Sequence, residues 1–130
     1  MSKFKYIRAD VYRRGISIFI GTKEALLEFA KETFKDNEDL IHNIKESLND
    51  TNALATTYQE EYGQSVIWIP KFPKTPTQVA NLAHEVLHAT FCILDFVNVE
   101  YRYGGPNEPY TYLFDYLLTK ALTERGYRDV

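Results

Sequence analysis

Apolar and polar positions alternate in two parts of the chain, and this pattern predicts β-strands. Residues 4–20 (FKYIRADVYRRGISIFI) place aromatic and β-branched side chains at near-alternate positions around residues 13–15, so we expect a hairpin. Residues 53–72 also favour extended chain, with a turn near residues 62–64. Because Pro70 cannot donate a ladder hydrogen bond, we expect the second of these strands (SVIWIPKF) to lie at the edge of its sheet.

Three other parts of the chain have the spacing of apolar residues that is typical of helices. After the first hairpin, apolar residues recur on one face of GTKEALLEFAKETF, and Thr22 is placed to cap a first helix. Residues 35–52 keep a weaker stripe, so a second short helix and an ordered loop both fit there. Residues 75–78 (TPTQ) form a capping box, which predicts the start of a third helix.

The third predicted helix is apolar almost all round from residue 79 to residue 97, as is typical of a helix buried on most sides. One narrow stripe is polar, and its three- and four-residue spacing keeps it on a single helical face. Its members are Asn81, His84, Glu85, His88, Cys92 and Asp95. At 1.5 Å per residue, Asp95 lies roughly 10 Å along the helix from His88, too far for the two side chains to bind the same ion.

The sequence HEVLH, residues 84–88, carries the chemistry of this stripe. Burying imidazoles and a carboxylate costs free energy unless something compensates them, and a cation would do so. His84 and His88 can each direct a nitrogen at one metal ion, with Glu85 beside a water on that ion, and zinc suits such ligands. The alternative is that both histidines are core residues whose nitrogens bond to tyrosine hydroxyls.

A third protein ligand is required, and the residues after the helix offer one. Residues 104–106 (Gly-Gly-Pro) should reverse the chain, and Asn107 is a good cap for a following helix. Glu108, 20 positions after His88, then begins a helix that can pack against the HEVLH helix. Glu100 is the rival ligand, but it precedes the reversal and lacks a defined helix start.

HEVLH followed by Glu108 resembles the gluzincin metallopeptidases, the thermolysin-like group of zincins in which a glutamate on the next helix is the third zinc ligand. The context LAHEVLHA is similar too, and the match covers roughly residues 65–120. The short chain is similar to the minimal zincins often carried by phages and bacteria. The resemblance implies one zinc ion per chain held by His84, His88 and Glu108, with Glu85 as the general base.

Two departures from the thermolysin-like pattern concern tyrosines. An aspartate that supports a histidine ligand stands four positions after the family's glutamate, and Tyr112 takes that position here. Tyr112 or Asp115 is expected to orient an imidazole; helix packing for Tyr112 and a solvated or capping role for Asp115 are equally good alternatives. No separate domain supplies the residue that stabilises the oxyanion, which leaves Tyr110, Tyr112 and Tyr103 as candidates.

Composition limits the remaining possibilities. The chain has 130 residues, the usual size of one domain, and a formal charge of −3 without a basic tract for nucleic acid. We expect no signal peptide and no membrane span, and the single cysteine, Cys92, fits a reducing compartment, so the expected location is cytoplasmic. We expect Cys92 to be a small buried hydrophobic residue and His42 to be an ordinary exposed histidine.

The sequence therefore predicts an α+β fold with a single zincin-like domain spanning residues 1–130. A short, mostly antiparallel sheet of about four strands should pack on the HExxH helix and a following C-terminal helix. We expect a zinc-dependent metallopeptidase acting on a peptide or protein substrate. The alternative is a non-catalytic zincin-fold binding or regulatory protein whose metal site is structural or absent; an intact Glu85 argues against it. The sequence leaves open whether a homo-oligomer or a protein partner completes the cleft.

Overall fold

The computed structural model describes residues 1–105 and 107–130, so the part of the predicted reversal that falls on Pro106 lies outside the described residues. The sheet strands and α-helices follow one another as β1 (Lys3–Ala9), β2 (Arg14–Ile20), α1 (Lys23–Thr33), α2 (Glu38–Ser47), β3 (Thr56–Gln59), β4 (Ser65–Ile69), α3 (Pro76–Phe96), α4 (Glu108–Leu122) and β5 (Arg128–Asp129). A single 3-10 turn, Glu61–Gly63, joins β3 to β4. No helix in the described part of the chain is both long and apolar enough to cross a membrane.

The five strands form one sheet in the order β3-β4-β2-β1-β5. Three of its strand pairs are antiparallel, and β2 and β4 run parallel. The predicted α+β class with a mostly antiparallel sheet is therefore confirmed, with a fifth strand of two residues added. The predicted hairpin forms as β1 and β2, but its turn lies at residues 10–13, because Arg14 and Gly15 already pair with β1.

The predicted position of β4 at the sheet edge is wrong. β4 lies between β2 and β3, and β3 is the edge strand. The reason is that Pro70 follows Ile69, the last residue of β4, and so lies outside the ladder. A proline just beyond a strand removes no ladder hydrogen bond and therefore carries no information about which strand is at the edge.

The sheet separates two hydrophobic clusters, because successive strand residues point to opposite faces. On one face, isoleucines of β2 and β4 pack with α3 and α4; the largest contributors are Ile16, Ile18, Ile67, Leu82, Ile93 and Leu117. On the other face, Phe19 and Trp68 pack with α1 and α2. Helices thus cover both faces, and α3 is held against the sheet on one side and against α4 on another.

The helix starts follow the predicted capping chemistry. Thr22 Oγ1 accepts a hydrogen bond from the Ala25 N–H (3.0 Å) at the start of α1. At the start of α3 the Thr75 side chain accepts from the Gln78 N–H (3.2 Å), and the Gln78 side chain accepts from the Thr75 N–H (3.2 Å), which completes the capping box. Residues 35–52 do contain a helix, α2, capped by Asn37.

Two buried lysines satisfy the carbonyl groups at helix C-termini. Lys5 Nζ donates to the carbonyls of Lys120 (2.6 Å), Thr123 (2.9 Å) and Arg125 (2.7 Å) at the end of α4. Lys23 Nζ does the same at the end of α2, where it donates to the carbonyl of Ser47 (2.8 Å). Because the last four carbonyls of a helix have no intrahelical partner, each lysine replaces hydrogen bonds that water would otherwise make.

Candidate metal and catalytic site

The two histidines of the polar stripe on α3 face solvent, so the prediction that the stripe is buried is wrong for them, although it holds for Glu85. α3 uses one side against the sheet and another against α4, where Leu82, Val86 and Ile93 are fully buried. The histidines lie on a side of α3 that neither neighbour covers, and the His84 side chain is 70% exposed. The alternative that both histidines are core residues is therefore also wrong, and their desolvation does not by itself call for a metal ion.

His84 and His88 nevertheless face each other across one helical turn. Their Nε2 atoms lie 3.2 Å apart, and their rings are nearly perpendicular at 77°. Two nitrogens bound to one tetrahedral zinc ion at about 2.0–2.1 Å are separated by about 3.3 Å. A hydrogen bond between two imidazoles has the same length, so the distance fits both a metal-free pair and a zinc-bound pair.

Glu85 is the buried member of the HEVLH group. It is only 8% exposed, and its carboxylate lies between α3 and the edge strand β3. The Thr57 hydroxyl of β3 donates to both Glu85 Oε1 (3.3 Å) and the Glu85 carbonyl (3.2 Å), which share its single hydrogen. Glu85 Oε2 is 4.0 Å from Nε2 of His84. The carboxylate is thus fixed on one side and directed towards the histidine pair on the other.

The edge strand β3 runs alongside the polar stripe of α3. Leu54, just before β3, lies with Asn81 around one cavity; Thr57 contacts Glu85; and Gln59 lies with Cys92 around another cavity. Strand and helix therefore advance in the same direction. Because β3 is the terminal strand of the sheet, only one of its edges pairs with another strand within the described residues. The sequence reasoning missed Thr57, although its position in the strand ALATTYQE was correctly read as extended.

The predicted third ligand lies on a different surface of the pair of helices. α4 packs against α3 as expected, but its buried residues are Tyr110, Leu113, Leu117 and Ala121. Glu108, Tyr112 and Asp115 share the opposite, exposed face of α4. Within the described part of the chain, no three His, Cys, Asp or Glu side chains come together in a group that could hold a metal ion. The structure thus brings His84 and His88 together but leaves Glu108 apart from them.

The tyrosines considered for oxyanion stabilisation differ in their surroundings. The Tyr110 hydroxyl is part of the packing, because it donates its hydrogen to the Val99 carbonyl at 2.5 Å. Burial raises the pKa of Tyr110, and the nearby carboxylates of Asp95 and Glu100 raise it further. A hydroxyl whose hydrogen is already donated has none left for an oxyanion. Tyr112 is 70% exposed and Tyr103 is 99% exposed, so both hydroxyls remain accessible.

The loop before α4 is organised by Asn107. Asn107 occupies the cap position, but its side chain does not cap the helix. Its amide instead accepts from the Arg102 N–H (3.1 Å) and donates to the Arg102 carbonyl (3.0 Å). Glu100, the rival ligand, is exposed and lies 3.5 Å from the Arg102 guanidinium. The predicted cap is therefore right in position and wrong in its bonding.

The other polar residues considered in the sequence analysis are His42, Cys92 and Asp95. His42 is 68% exposed on α2, 3.8 Å from Glu46. Cys92 is partly buried, and burial raises the pKa of its thiol, which suits an unreactive cysteine. Asp95 is exposed at the end of the stripe.

Comparison of the chain with protein-family models, with curated proteins and with solved structures found no match.

Proposed function

We propose that the protein is a zinc-dependent metallopeptidase of minimal gluzincin type. The observation that supports this most directly is the pairing of His84 and His88, with Nε2 atoms 3.2 Å apart and the Glu85 carboxylate 4.0 Å from His84. Two nitrogens at a zinc-compatible spacing are donors that a zinc ion prefers, and the carboxylate beside them is the kind of base that metal-assisted hydrolysis uses.

In this proposal His84 and His88 hold the metal. Glu108, the third ligand predicted from the sequence, lies apart from them in the structure and would have to approach them to complete the ligand set. The two imidazoles fit zinc in donor type and spacing. Glu108 is at the first residue of α4 and exposed, so its side chain is free of packing constraints. A bound zinc ion would supply Lewis acidity, polarising a peptide carbonyl and lowering the pKa of a water molecule towards about 7.

The role of Glu85 follows from its own contacts. Thr57 fixes one carboxylate oxygen, and the other oxygen is directed towards His84. A carboxylate held in this way can take a proton from a water molecule beside the histidines and pass it to a leaving amine. A purely structural metal site has no need for such a base.

The edge strand offers a way to hold the substrate. β3 is the edge strand and contacts Glu85 through Thr57, and an extended peptide can add to a free strand edge by main-chain hydrogen bonds. Because β3 and not β4 is at the edge of the sheet, this role belongs to β3. Main-chain pairing tolerates many sequences, so selectivity then depends on the cavities at the two ends of the strand.

The proposal is tested by proteolysis with zinc-loaded protein on a mixture of unfolded peptides. We expect cleavage that a zinc chelator abolishes and added zinc restores. Glu85→Gln should lose cleavage by a factor of at least about 10² while keeping its metal, because it removes the base and leaves both imidazoles in place. Glu32→Gln, on the opposite face of the sheet, is the matched control and should cleave normally. Cleavage by Glu85→Gln at the wild-type rate would remove Glu85 from the mechanism.

A further inference from the structure

A cleft at the C-terminal end of α3 has a chemistry that the proposed hydrolysis does not use. It has a volume of about 450 Å³ and opens between the end of β3, α3 and the segment before α4. Its walls are aromatic and acidic: Phe91, Tyr101 and Tyr110 with Asp95 and Glu100, closed by Gln59, Cys92 and Val99.

The three aromatic rings of this cleft contact one another. The ring centroid of Phe91 is 4.9 Å from that of Tyr110 and 5.6 Å from that of Tyr101, and the two tyrosine centroids are 5.3 Å apart. Phe91 is 40% exposed and Tyr101 is 49% exposed, although both belong to this packed cluster. The cluster therefore presents aromatic surface to solvent, and such surface attracts cations through the electron-rich ring faces.

Two carboxylates give the cleft a negative potential. Asp95 and Glu100 both line the cleft together with Tyr110, and their carboxylates add to the effect of burial in raising the pKa of the Tyr110 hydroxyl. None of the described residues that line the cleft carries a positive charge. Arg102, outside the lining, forms an exposed pair with Glu100 at 3.5 Å, and a ligand can compete with this pair because such pairs are weak.

The cleft lies beside the histidine pair. Phe91 and Cys92 follow His88 by three and four residues and so share its side of α3. At 1.5 Å per residue the cleft begins about 5 Å from His88 along the helix and ends about 10 Å away. A strand advances about 3.3 Å per residue, so the cleft is about one to three substrate residues from the histidines.

The cavity at the other end of β3 has a different character. It has a volume of about 170 Å³ beside Asn81 and is lined mainly by Leu54, Ile69 and Pro70, together with Lys71. Lys71 would repel a basic side chain there. The two ends of the edge strand therefore differ in charge, and a basic residue is favoured at one end alone.

From these observations we propose that the cleft formed by Phe91, Tyr101, Tyr110, Asp95 and Glu100 selects a lysine or arginine side chain of the peptide substrate, on one side of the bond that is cleaved. The proposal rests on the proposed peptidase function. The charged group lies between Asp95 and Glu100, and its aliphatic stem packs on Phe91 and Tyr101. The carboxylates provide the preference for charge, and the rings provide the preference for a long side chain.

The test uses short capped peptides with a neutral background in which one residue is lysine, arginine, norleucine or glutamate, placed at each position in turn. Norleucine keeps the length of the lysine stem and removes the charge. With zinc-loaded wild-type protein we expect kcat/KM about tenfold higher for lysine than for norleucine at a position on one side of the cleaved bond, because an exposed ion pair and a cation–π contact each contribute a few-fold.

Three variants identify the cleft as the source of this preference. The double variant Asp95→Asn with Glu100→Gln should reduce the lysine-to-norleucine ratio to about two or less while the norleucine peptide is cleaved at the wild-type rate. Arg102→Gln should increase the ratio, because it frees Glu100. Glu32→Gln removes a charge from the opposite face of the sheet and should leave the ratio unchanged.

The same peptides are titrated into the Glu85→Gln protein, which separates binding from cleavage. Cleavage without a preference for lysine would overturn the proposed selectivity and leave the peptidase function standing. If no peptide is cleaved, tighter binding of the lysine peptide that disappears in the double variant supports the cleft, and equal binding of lysine and norleucine overturns it. A preference that survives the double variant also overturns it.

Discussion

The Thr57 hydroxyl on the edge strand lies 3.3 Å from Oε1 of Glu85 on α3, and it joins the candidate base to the strand that would carry a substrate. A single hydrogen bond thus ties the orientation of the carboxylate to the position of β3. Because Thr57 would act through the Glu85 carboxylate, it is a positioning residue.

Thr57→Val should lower the peptidase activity about three- to tenfold, because the valine keeps the shape of the side chain and removes the hydrogen bond that orients Glu85. Zinc content should not change, and Thr57→Ser should restore the rate. Thr56→Val, on the other face of the same strand, is the control and should cleave normally. Equal loss in Thr56→Val and Thr57→Val would mean that strand packing, not carboxylate orientation, causes the effect.

Lys5→Met should destabilise the protein by about 2–4 kcal/mol, because three carbonyls at the end of α4 lose a charged hydrogen-bond donor in a buried place. Denaturant unfolding measures the change. Lys3→Met, two residues earlier, breaks an exposed ion pair with Asp129 and should cost less than about 1 kcal/mol. Similar losses in the two variants would show that Lys5 does not hold the end of α4.

Gly63→Ala should destabilise the protein through both backbone strain and a steric clash, and Gly104→Ala should show the effect of backbone strain alone. Gly63 has φ +74°, and a Cβ there would lie 2.9 Å from Cβ of Phe96, on α3. Gly104 also has φ +74°, but a Cβ there meets no atom within 4 Å. Gly104→Ala should therefore cost about 1–2 kcal/mol from the backbone alone, and Gly63→Ala should cost clearly more, in thermal or denaturant unfolding. Equal costs would mean that the chain at Gly63 moves away from Phe96 freely.

The pH dependence of stability should depend on Glu60. Burial raises the pKa of Glu60 above its ordinary value of 4.5, and a hydrogen bond from the Asn37 amide opposes this. A raised pKa in the folded state contributes stability below pH 4.5 that is lost as the pH rises through the raised pKa. Glu60→Gln keeps an acceptor for Asn37 and removes the titration.

Relative to wild type, Glu60→Gln should therefore gain stability as the pH rises from below 4.5 through the raised pKa, as measured by denaturant unfolding at each pH. Glu61→Gln, its exposed neighbour, is the matched control and should show no such trend. A Glu60→Gln variant that follows the wild-type curve at every pH would contradict the assignment.

The predictions that succeeded rest on local chemistry. The capping box of Thr75 and Gln78, the cap at Thr22 and the alternation in β1 and β2 are properties of neighbouring residues, so the sequence alone specifies them. The α+β class follows from the same signals, because strands and amphipathic helices must bury their apolar faces against one another.

The predictions that failed concern tertiary arrangement. Pro70 indicated a sheet edge, but the order of strands depends on which strand β2 accepts as its parallel partner, and that is not a local property. The apolar residues of α3 suggested burial on most sides, yet Leu87 and Phe91 are partly exposed beside the histidines. The contact of Thr57 with Glu85 joins residues 28 positions apart, and no spacing rule predicts it.

The central claim is that His84, His88 and Glu108 bind one zinc ion. Elemental analysis of purified protein after incubation with zinc, followed by removal of free metal, tests it most directly in wild type, His88→Ala, Glu108→Ala and His42→Ala. We predict about one zinc ion per chain in wild type and in His42→Ala, which removes an exposed histidine on α2, and loss or sharp weakening in the other two variants. Wild-type protein that retains no zinc would contradict the account and favour a non-catalytic binding protein; full zinc content in Glu108→Ala would contradict the assignment of the third ligand.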